Sequence, residues 1–473
     1  MSSATLNDLP EDVLMNILAR FPVKSLLQFK CVCKPWYAVI KDPIFITKHV
    51  NQSALRNNGY LAITRRGGNF LGKCSISLIS YENFHEVITI TLPYKEDGVA
   101  LFQIVGSCNG ILCMNVSKLG NTNFLFNPAT SELKELPKPD DLFDEFISLQ
   151  FGDVDPYDLD ELIGLGFGYD AKSNDYKLVR ISYSKMVGGK VYSEVDVYSL
   201  STNSWRRKDK LVHGTVVKNS FSEALINGAL HWRGATTVVR NLIISFGLRD
   251  EMSHYIELPE INLDGNEIYE WFPFVRKELL AIVISSGEYQ RTFNIWVMNE
   301  YGIKETWNKQ LTVGPIYVHR LVGCGRNEEL LFVSYSMMYV YDLQRNPPCD
   351  INEANDNRIG FVSRERGVVN HIESLVTIEG TKVCVERKRT KRSWFKEILN
   401  ILICVLIGLF IIIGIYFRDP YFDEACRTYR HFKYPRGNPF VMGPDNYPVC
   451  KEYGYCMCPL FLSKERLPTS ADQ

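Results

Sequence analysis

The chain has 473 residues, more than one ordinary hydrophobic core organises, so two or three domains are expected. Its 53 Lys and Arg are offset by 54 Asp and Glu, and a formal net charge of −1 excludes a global field that would attract nucleic acid. An apolar content of 46 % suits a globular protein with a sizeable core.

The first residues, MSSATLNDLPEDVL, lack the basic and then apolar regions of a secretory signal peptide, so none is expected. The eight cysteines from Cys31 to Cys384 are read as reduced thiols of a cytosolic or nuclear compartment. Residues 8–42 read as three short helices. Pro10 suits a first helical turn with Glu11 and Asp12 behind it. Val13, Leu14, Ile17, Leu18 and Phe21 recur at helical spacing, and Pro22 ends the run. Val23, Leu26, Leu27 and Phe29 mark the second helix; Pro35 opens the third, and Asp42-Pro43 closes it. Helices this short bury little alone, so the module needs either a partner or the adjoining domain.

From about residue 55 to 380 the texture is β: short runs rich in Val, Ile, Tyr, Phe and Trp, punctuated by Gly, Asn, Asp and Pro. A phrase of strand, polar turn and strand recurs, closing on Leu-Pro or Trp. It is seen at Ser77 to Leu92-Pro93, Phe124 to Leu136-Pro137, Val195 to Trp205, Ile243 to Leu258-Pro259, Ile295 to Trp307, and again from Met338. Some four strands per unit, repeated about six times, predict a β-propeller; a large β-sandwich is the competing reading, and the blade number stays open.

Residues 381–397 form a basic linker with Lys382, Arg387, Lys388, Arg389, Lys391, Arg392 and Lys396. The uncharged run 398–417 is about 30 Å long as a helix and reads as one transmembrane span, with the N-terminal bulk in the cytosol. Beyond it lies a Cys-containing tail, 418–473, whose Cys426, Cys450, Cys456 and Cys458 could form two disulfides or remain thiols. The expected fold class is thus α+β multidomain: a three-helix module at 5–50, an all-β propeller-like domain at 55–380, the linker, a C-terminal transmembrane helix and the tail.

No constellation for catalysis stands out. His231 has no nucleophile phrase beside it and reads as a blade residue. Gly164-Leu-Gly-Phe-Gly168 precedes no nucleotide-binding helix. The acidic residues Asp153, Asp155, Asp158, Asp160 and Glu161 fit no calcium loop, and Cys31-Val-Cys33 reads as helical packing rather than zinc. No catalytic residue, cofactor or metal is expected.

The segment Leu9-Pro-Glu-Asp-Val-Leu-Met-Asn-Ile17-Leu18 to Pro22, then Ser25-Leu26, Phe29-Lys-Cys-Val-Cys-Lys34 and Trp36 resembles the plant F-box. Further phrases resemble the plant F-box-associated interaction domain of S-locus F-box-like proteins: Gly106-Ser-Cys-Asn-Gly110, Asn127-Pro-Ala-Thr130, Gly166 to Lys177, Asn227 to Trp232, Ile295 to Met298, and His371-Ile-Glu-Ser-Leu-Val376. Together they cover about residues 6–380.

The resemblance implies a non-catalytic substrate-recognition subunit of an SCF-type cullin ubiquitin ligase. Its F-box would bind a Skp-type adaptor and, through it, cullin and a RING protein. Leu9, Pro10, Leu14, Ile17, Leu18, Pro22, Leu26, Val32 and Trp36 would form the apolar adaptor surface. The propeller would hold an unknown protein target through loops near 138–163, 183–192, 209–222 and 261–273. The alternatives are an S-locus F-box-type pollen factor recognising S-RNases, and a propeller lectin or hydrolase with a vestigial F-box. The expected location is a single-pass membrane protein; the alternative is soluble, cytoplasmic or nuclear.

Overall fold

Capping chemistry divides the N-terminal module. The computed structural model describes residues 10–55, the strands 386–389, 440–442, 448–450 and 454–455, and residues 59–378 outside 66–72, 82–83, 96–101, 117–121, 140–162, 188–189, 209–211, 217–221, 223, 237–238, 240, 261–268, 288–289, 326–328, 335–336, 342–357 and 362–367. They form a helical unit and a β unit, which divide near residue 52.

Pro10 precedes α1 (Glu11–Leu18), whose first turn carries Glu11 and Asp12 against the helix dipole. Pro22 precedes α2 (Val23–Phe29), and α3 (Lys34–Lys41) has Pro35 in its first turn. A fourth helix, α4 (Pro43–Leu55), follows, where three were expected. Asp42-Pro43 ends α3 but also begins α4: Asp42 Oδ1 accepts the amide of Ile44 at 2.6 Å, and proline needs no amide partner at the first position. His49 Nε2 donates to the Phe21 carbonyl at 2.9 Å, tying α4 to the turn between α1 and α2. Leu18, Leu26, Ile40 and Phe45 are fully buried.

The expected fold class is corrected at its C-terminal end. No helix among the described residues is long and apolar enough to cross a membrane. The longest, α4, has 13 residues, about 20 Å, against about 30 Å of bilayer core. Residues 398–417 lie outside the described residues, so the transmembrane element and the membrane insertion drawn from it are withdrawn. The linker reading also changes, since Glu386–Arg389 is a strand paired to Glu86–Lys95. In the tail, Phe440–Met442, Pro448–Cys450 and Gly454–Tyr455 form a small antiparallel sheet; the remainder, with the question of its disulfides, lies outside the described residues.

The β unit is a six-bladed propeller. Blade 1 has Val368–His371 innermost, then Tyr60–Arg65, Lys73–Ser80 and Glu86–Lys95, with Glu386–Arg389 added outside. Blade 2 comprises Phe102–Cys108, Ile111–Val116, Thr122–Asn127 and Glu132–Glu135. Blade 3 comprises Ile163–Asp170, Asp175–Val187, Lys190–Ser199 and Ser204–Arg207, with Val212–His213 pairing to the third. Blade 4 has a divided inner strand, Thr215–Val216 and Ala224–Ile226, then Ala229–Ala235, Leu242–Gly247 and Ser253–Glu257. Blade 5 runs Tyr269–Arg276, Leu279–Ser286, Arg291–Met298 and Trp307–Ile316; blade 6 runs Arg320–Cys324, Leu330–Ser334, Met337–Tyr341 and Arg358–Phe361.

Each gap between blades holds its own apolar core. Leu78, Ile90, Leu112 and Phe124 fill the gap between blades 1 and 2; Leu125, Phe167, Leu178 and Tyr198 fill the next. Ile181, Val197, Trp232 and Phe246 lie between blades 3 and 4, and Ile243, Ile282, Met298 and Trp307 between 4 and 5. Phe293, Ile295, Leu330 and Phe332 join blades 5 and 6; Leu331, Val333, Leu61 and Ile63 join 6 back to 1. Successive residues of a strand face opposite gaps, and both gaps are lined by buried apolar side chains. Continuous apolar runs such as Leu330–Ser334 follow, rather than the alternation of a half-exposed sheet.

Two sequence features gain a physical cause. The alternating Gly164, Gly166 and Gly168 make a flat bed on the inner strand of blade 3. A Cβ at Gly166 would sit 2.5 Å from Trp232 Cζ2, and the Trp232 indole donates to the Leu165 carbonyl at 3.1 Å. The two endings of the repeat phrase are partners across blades. Trp205 of blade 3 donates to the Pro137 carbonyl at the end of blade 2 (2.6 Å), and Trp307 of blade 5 donates to the Glu257 carbonyl beside Leu258-Pro259 of blade 4 (2.9 Å).

Candidate functional site

The helical unit combines a small core with exposed aliphatic side chains. Of the residues expected to form the adaptor surface, Leu14, Leu18 and Leu26 are buried, Trp36 is half-buried, and Pro10, Ile17, Pro22 and Val32 are exposed; Leu9 lies outside the described residues. Val32 is 57 % exposed in the turn between α2 and α3, and Ile17 is 45 % exposed on α1. Val13 at 40 % and Ile44 at 71 % were not among the expected residues. Ile44 was missed because Asp42-Pro43 read as an end rather than a start. Phe21, Phe29 and Trp36 form an edge-to-face chain, with ring centroids 5.1 and 5.3 Å apart, that links the α1–α2 turn to α2 and α3. Cys31 and Cys33, read from the sequence as packing inside a helix, are instead exposed in the α2–α3 turn.

Strand polarity gives the propeller two unlike rims. In blades 2 to 5 the first and second strands, and the third and fourth, join at one rim through short turns. Asn109-Gly110, Asn227-Gly228 and Lys277-Glu278 each have two positive φ values, the two-residue hairpin geometry that Asn-Gly favours. Links between second and third strands, and crossovers between blades, belong to the opposite rim. The strands flanking 140–162 and 261–268 end and begin there; these segments, with the acidic residues from Asp153 to Glu161, lie outside the described residues. Two of the expected loops contain strand: 183–187 and 190–192 belong to the paired strands Asp175–Val187 and Lys190–Ser199, and 209–222 contains the strands Val212–His213 and Thr215–Val216. Both are rich in β-branched and aromatic residues, which favour strands.

Several signature phrases meet at the short-turn rim, where the chain returns after blade 6. Strand Val368–His371 pairs with Tyr60–Ile63 and continues into 372–378 beside blade 2. The fully buried Asn127 donates through Nδ2 to the carbonyls of Ser374 (3.2 Å) and Val376 (2.6 Å), while its Oδ1 accepts the Ala129 amide at 2.9 Å. Glu132 Oε2 accepts the Ile378 amide at 2.7 Å. Gly110 has φ +83°, and a Cβ there would lie 2.2 Å from Ser374 Oγ. Ser107 Oγ is 3.1 Å from His371 Nδ1, and burial lowers the His371 pKa to about 3. These phrases hold the ring shut.

A second cluster bridges blades 3 and 4. Lys177 Nζ, 9 % exposed, donates to Asp170 Oδ2 (2.9 Å), the Leu248 carbonyl (2.6 Å) and Glu251 Oε1 (3.2 Å). Glu251 also accepts from Arg206 and Lys208. Burial opposes the Asp170 charge, but hydrogen bonds from Ser173, Lys177 and the Lys172 amide hold its pKa near about 2. Glu251 is likewise opposed by burial and held at about 2 by Arg206, Lys208 and Lys177. His231 is buried in blade 4, with Nδ1 3.2 Å from the Ala224 carbonyl and Nε2 2.7 Å from the Tyr301 hydroxyl; burial lowers its pKa to about 4. Among the described residues, no three His, Cys, Asp or Glu side chains are grouped to hold a metal.

A small helical unit with exposed aliphatic residues, joined to a six-bladed ring with one rim of long crossovers, is the architecture of a two-part binding protein. Residues 71–383 match the model of the F-box associated beta propeller domain, and residues 6–48 match that of the F-box domain. The chain belongs to the F-box proteins that carry an F-box-associated β-propeller. It is 28 % identical over 339 residues to the F-box protein At3g07870 of Arabidopsis thaliana, covering 65 % of this chain and 73 % of that protein. It is 28 % identical over 323 residues to the F-box protein CPR1 of the same plant (64 % and 73 %), and 28 % over 321 residues to the F-box/kelch-repeat protein At3g23880 (65 % and 80 %). Among solved structures, a six-bladed fungal lectin from Aleuria aurantia aligns over 61 % of this chain and 93 % of its own at 7 % identity, with a TM-score of 0.33. That likeness is too slight to carry an argument about function.

Proposed function

We propose that this protein is the substrate-recognition subunit of an SCF-type cullin ubiquitin ligase, with the F-box on a Skp-type adaptor and the propeller on a protein target. The observation that carries the reading is the F-box match joined to aliphatic side chains left in water on so small a unit. Val13, Ile17, Val32 and Ile44 are the contact residues, with Pro10, Pro22 and Trp36 beside them. Leu14, Leu18 and Leu26 form the core that fixes the helices behind them. A docked adaptor would remove these side chains from water, at about 25 cal/mol per Å² of apolar surface.

The target sits on the rim of long crossovers, since the opposite rim is occupied by tight turns and the closing segment. The chain acts by proximity: it raises the effective concentration of the target lysine near the ubiquitin carrier and supplies no acid, base or nucleophile.

The test is co-purification of the full chain with a plant Skp-type adaptor. Replacing Ile17→Asp with Val32→Asp, both exposed, should leave the circular-dichroism spectrum intact and abolish adaptor capture. Undiminished capture by a folded double variant would refute the assignment.

A further inference from the structure

We propose that positive charge accompanies the exposed aliphatic side chains of the helical unit, and that the face of the adaptor receiving them is acidic and is steered into place by that charge. This deepens, and rests on, the adaptor reading of the helical unit.

Charge is unevenly spread along the chain. From Val13 to Lys48 there are six Lys and Arg and a single acid, Asp42, a net of +5 in a protein whose formal net charge is −1. Asp42 Oδ1 accepts the Ile44 amide at 2.6 Å, which commits that oxygen to the start of α4. Glu11 and Asp12 precede the stretch, in the first turn of α1, where they answer the helix dipole.

The cations follow the aliphatic residues. The exposed Arg20 lies three residues beyond Ile17, and its amide donates to the Ile17 carbonyl at 3.2 Å. The exposed Lys34 opens α3, two residues beyond Val32. Lys48, partly exposed, lies one turn from Ile44 on the same face of α4. Three separate elements thus repeat one arrangement, an aliphatic side chain in water with a cation within a turn of it.

That arrangement fits a protein face with apolar pockets and a carboxylate rim. Apolar anchors supply the affinity of such a contact, and a charged rim supplies orientation and on-rate. A nucleic acid would meet the cations but leave Ile17, Val32 and Ile44 in water, and Phe29 and Trp36 pack edge to face on each other instead of being offered to bases. A helix lying on an anionic membrane presents one continuous apolar face, whereas these anchors come from α1, the α2–α3 turn and α4.

The experiment is stopped-flow association of the full chain with a purified plant Skp-type adaptor between 50 and 500 mM NaCl, for the wild type and for Arg20→Gln/Lys34→Gln/Lys48→Gln. Salt shortens the reach of these charges, so the wild-type on-rate should fall about tenfold or more across the range. At 50 mM the wild type should associate about fivefold or more faster than the triple variant, the two should converge at 500 mM, and their off-rates should agree within about twofold. Circular dichroism checks that the variant is folded. A wild-type on-rate that ignores salt, equal on-rates at 50 mM, or a difference confined to the off-rate overturns the proposal. Salt-sensitive binding to a single-stranded oligonucleotide or to phosphatidylserine vesicles, with an adaptor on-rate that ignores salt, likewise overturns it. Tight adaptor binding without salt dependence removes the steering and leaves the adaptor reading standing; no adaptor binding at any salt removes both.

Discussion

Lys177 is the most demanding test of how the ring is held. Its ammonium has three protons, and each has a partner across or within the seam between blades 3 and 4. Lys177→Met keeps the aliphatic stem and removes the charge. The Leu248 carbonyl then loses this donor, while Asp170 and Glu251 lose their shared cation in a site where each is at most 10 % exposed. Breaking a buried pair costs about 3–5 kcal/mol. Asp170 keeps Ser173 and the Lys172 amide, and Glu251 keeps Arg206 and Lys208, so the lower figure applies. A loss of about 3 kcal/mol corresponds to a fall in melting temperature of about 4 °C for a unit of this size. Thermal unfolding of the wild type, Lys177→Met, Asp170→Asn and the double variant supplies the assay, and the cycle should give a coupling of about 1–3 kcal/mol. The exposed pair Lys304 and Glu257 is the control, and Lys304→Met should leave the melting temperature unchanged. A shift below about 1 °C for Lys177→Met, or strict additivity in the cycle, would refute the reasoning.

Acid should weaken the ring in two stages. The folded pKa of His231, about 4, lies below its ordinary 6.5, so the unfolded chain binds more protons between those values and stability falls as pH drops through them. The share from His231 is about 3 kcal/mol. His231→Gln should flatten that part of the pH–stability curve measured by urea unfolding, and an unchanged slope would contradict it. Asp170 and Glu251, held near 2, contribute stability above their ordinary pKa values that is lost as pH falls from about 4.5 toward 2. Asn127→Ala should cost about 2–3 kcal/mol and raise amide exchange through 372–378; unaltered protection there would remove Asn127 from the closure. Lys277→Asn with Glu278→Gly should stabilise by about 1–2 kcal/mol, because both residues now sit at positive φ (48° and 59°). A melting temperature that fails to rise would show that the turn carries little strain.

The propeller was legible because its strands are buried on both faces, so the repeat phrase stands out as solid apolar runs ended by polar turns. The closure was not. Tyr60 and His371 are paired across a strand boundary that no local pattern marks, although both lie in β-rich text. The three phrases Gly106–Gly110, Asn127–Thr130 and His371–Val376 were visible as motifs, but their meeting at one place is a property of the ring. In the helical unit the sequence showed apolar residues at helical spacing without separating inside from outside. Helices of seven and eight residues have only about two turns, too few for periodicity to distinguish the face that carries Leu14 and Leu18 from the one that carries Ile17. The fourth helix was lost to the ambiguity of Asp42-Pro43, and the membrane span was inferred from the length of an uncharged apolar run and its flanks.

The innermost strand of the first blade is nearly the last part of the β unit to be synthesised. As the chain emerges from a ribosome, Tyr60–Ile63 are among the earliest β residues made, yet their partner, Val368–His371, arrives about 300 residues later, roughly 15–60 s at ordinary elongation rates. Until then the nascent domain carries a strand paired along one edge only, and an unfilled seam between its first and last blades. A chain that ends before residue 368 therefore lacks the strand that covers Tyr60–Ile63 and leaves that edge open to pairing with other chains.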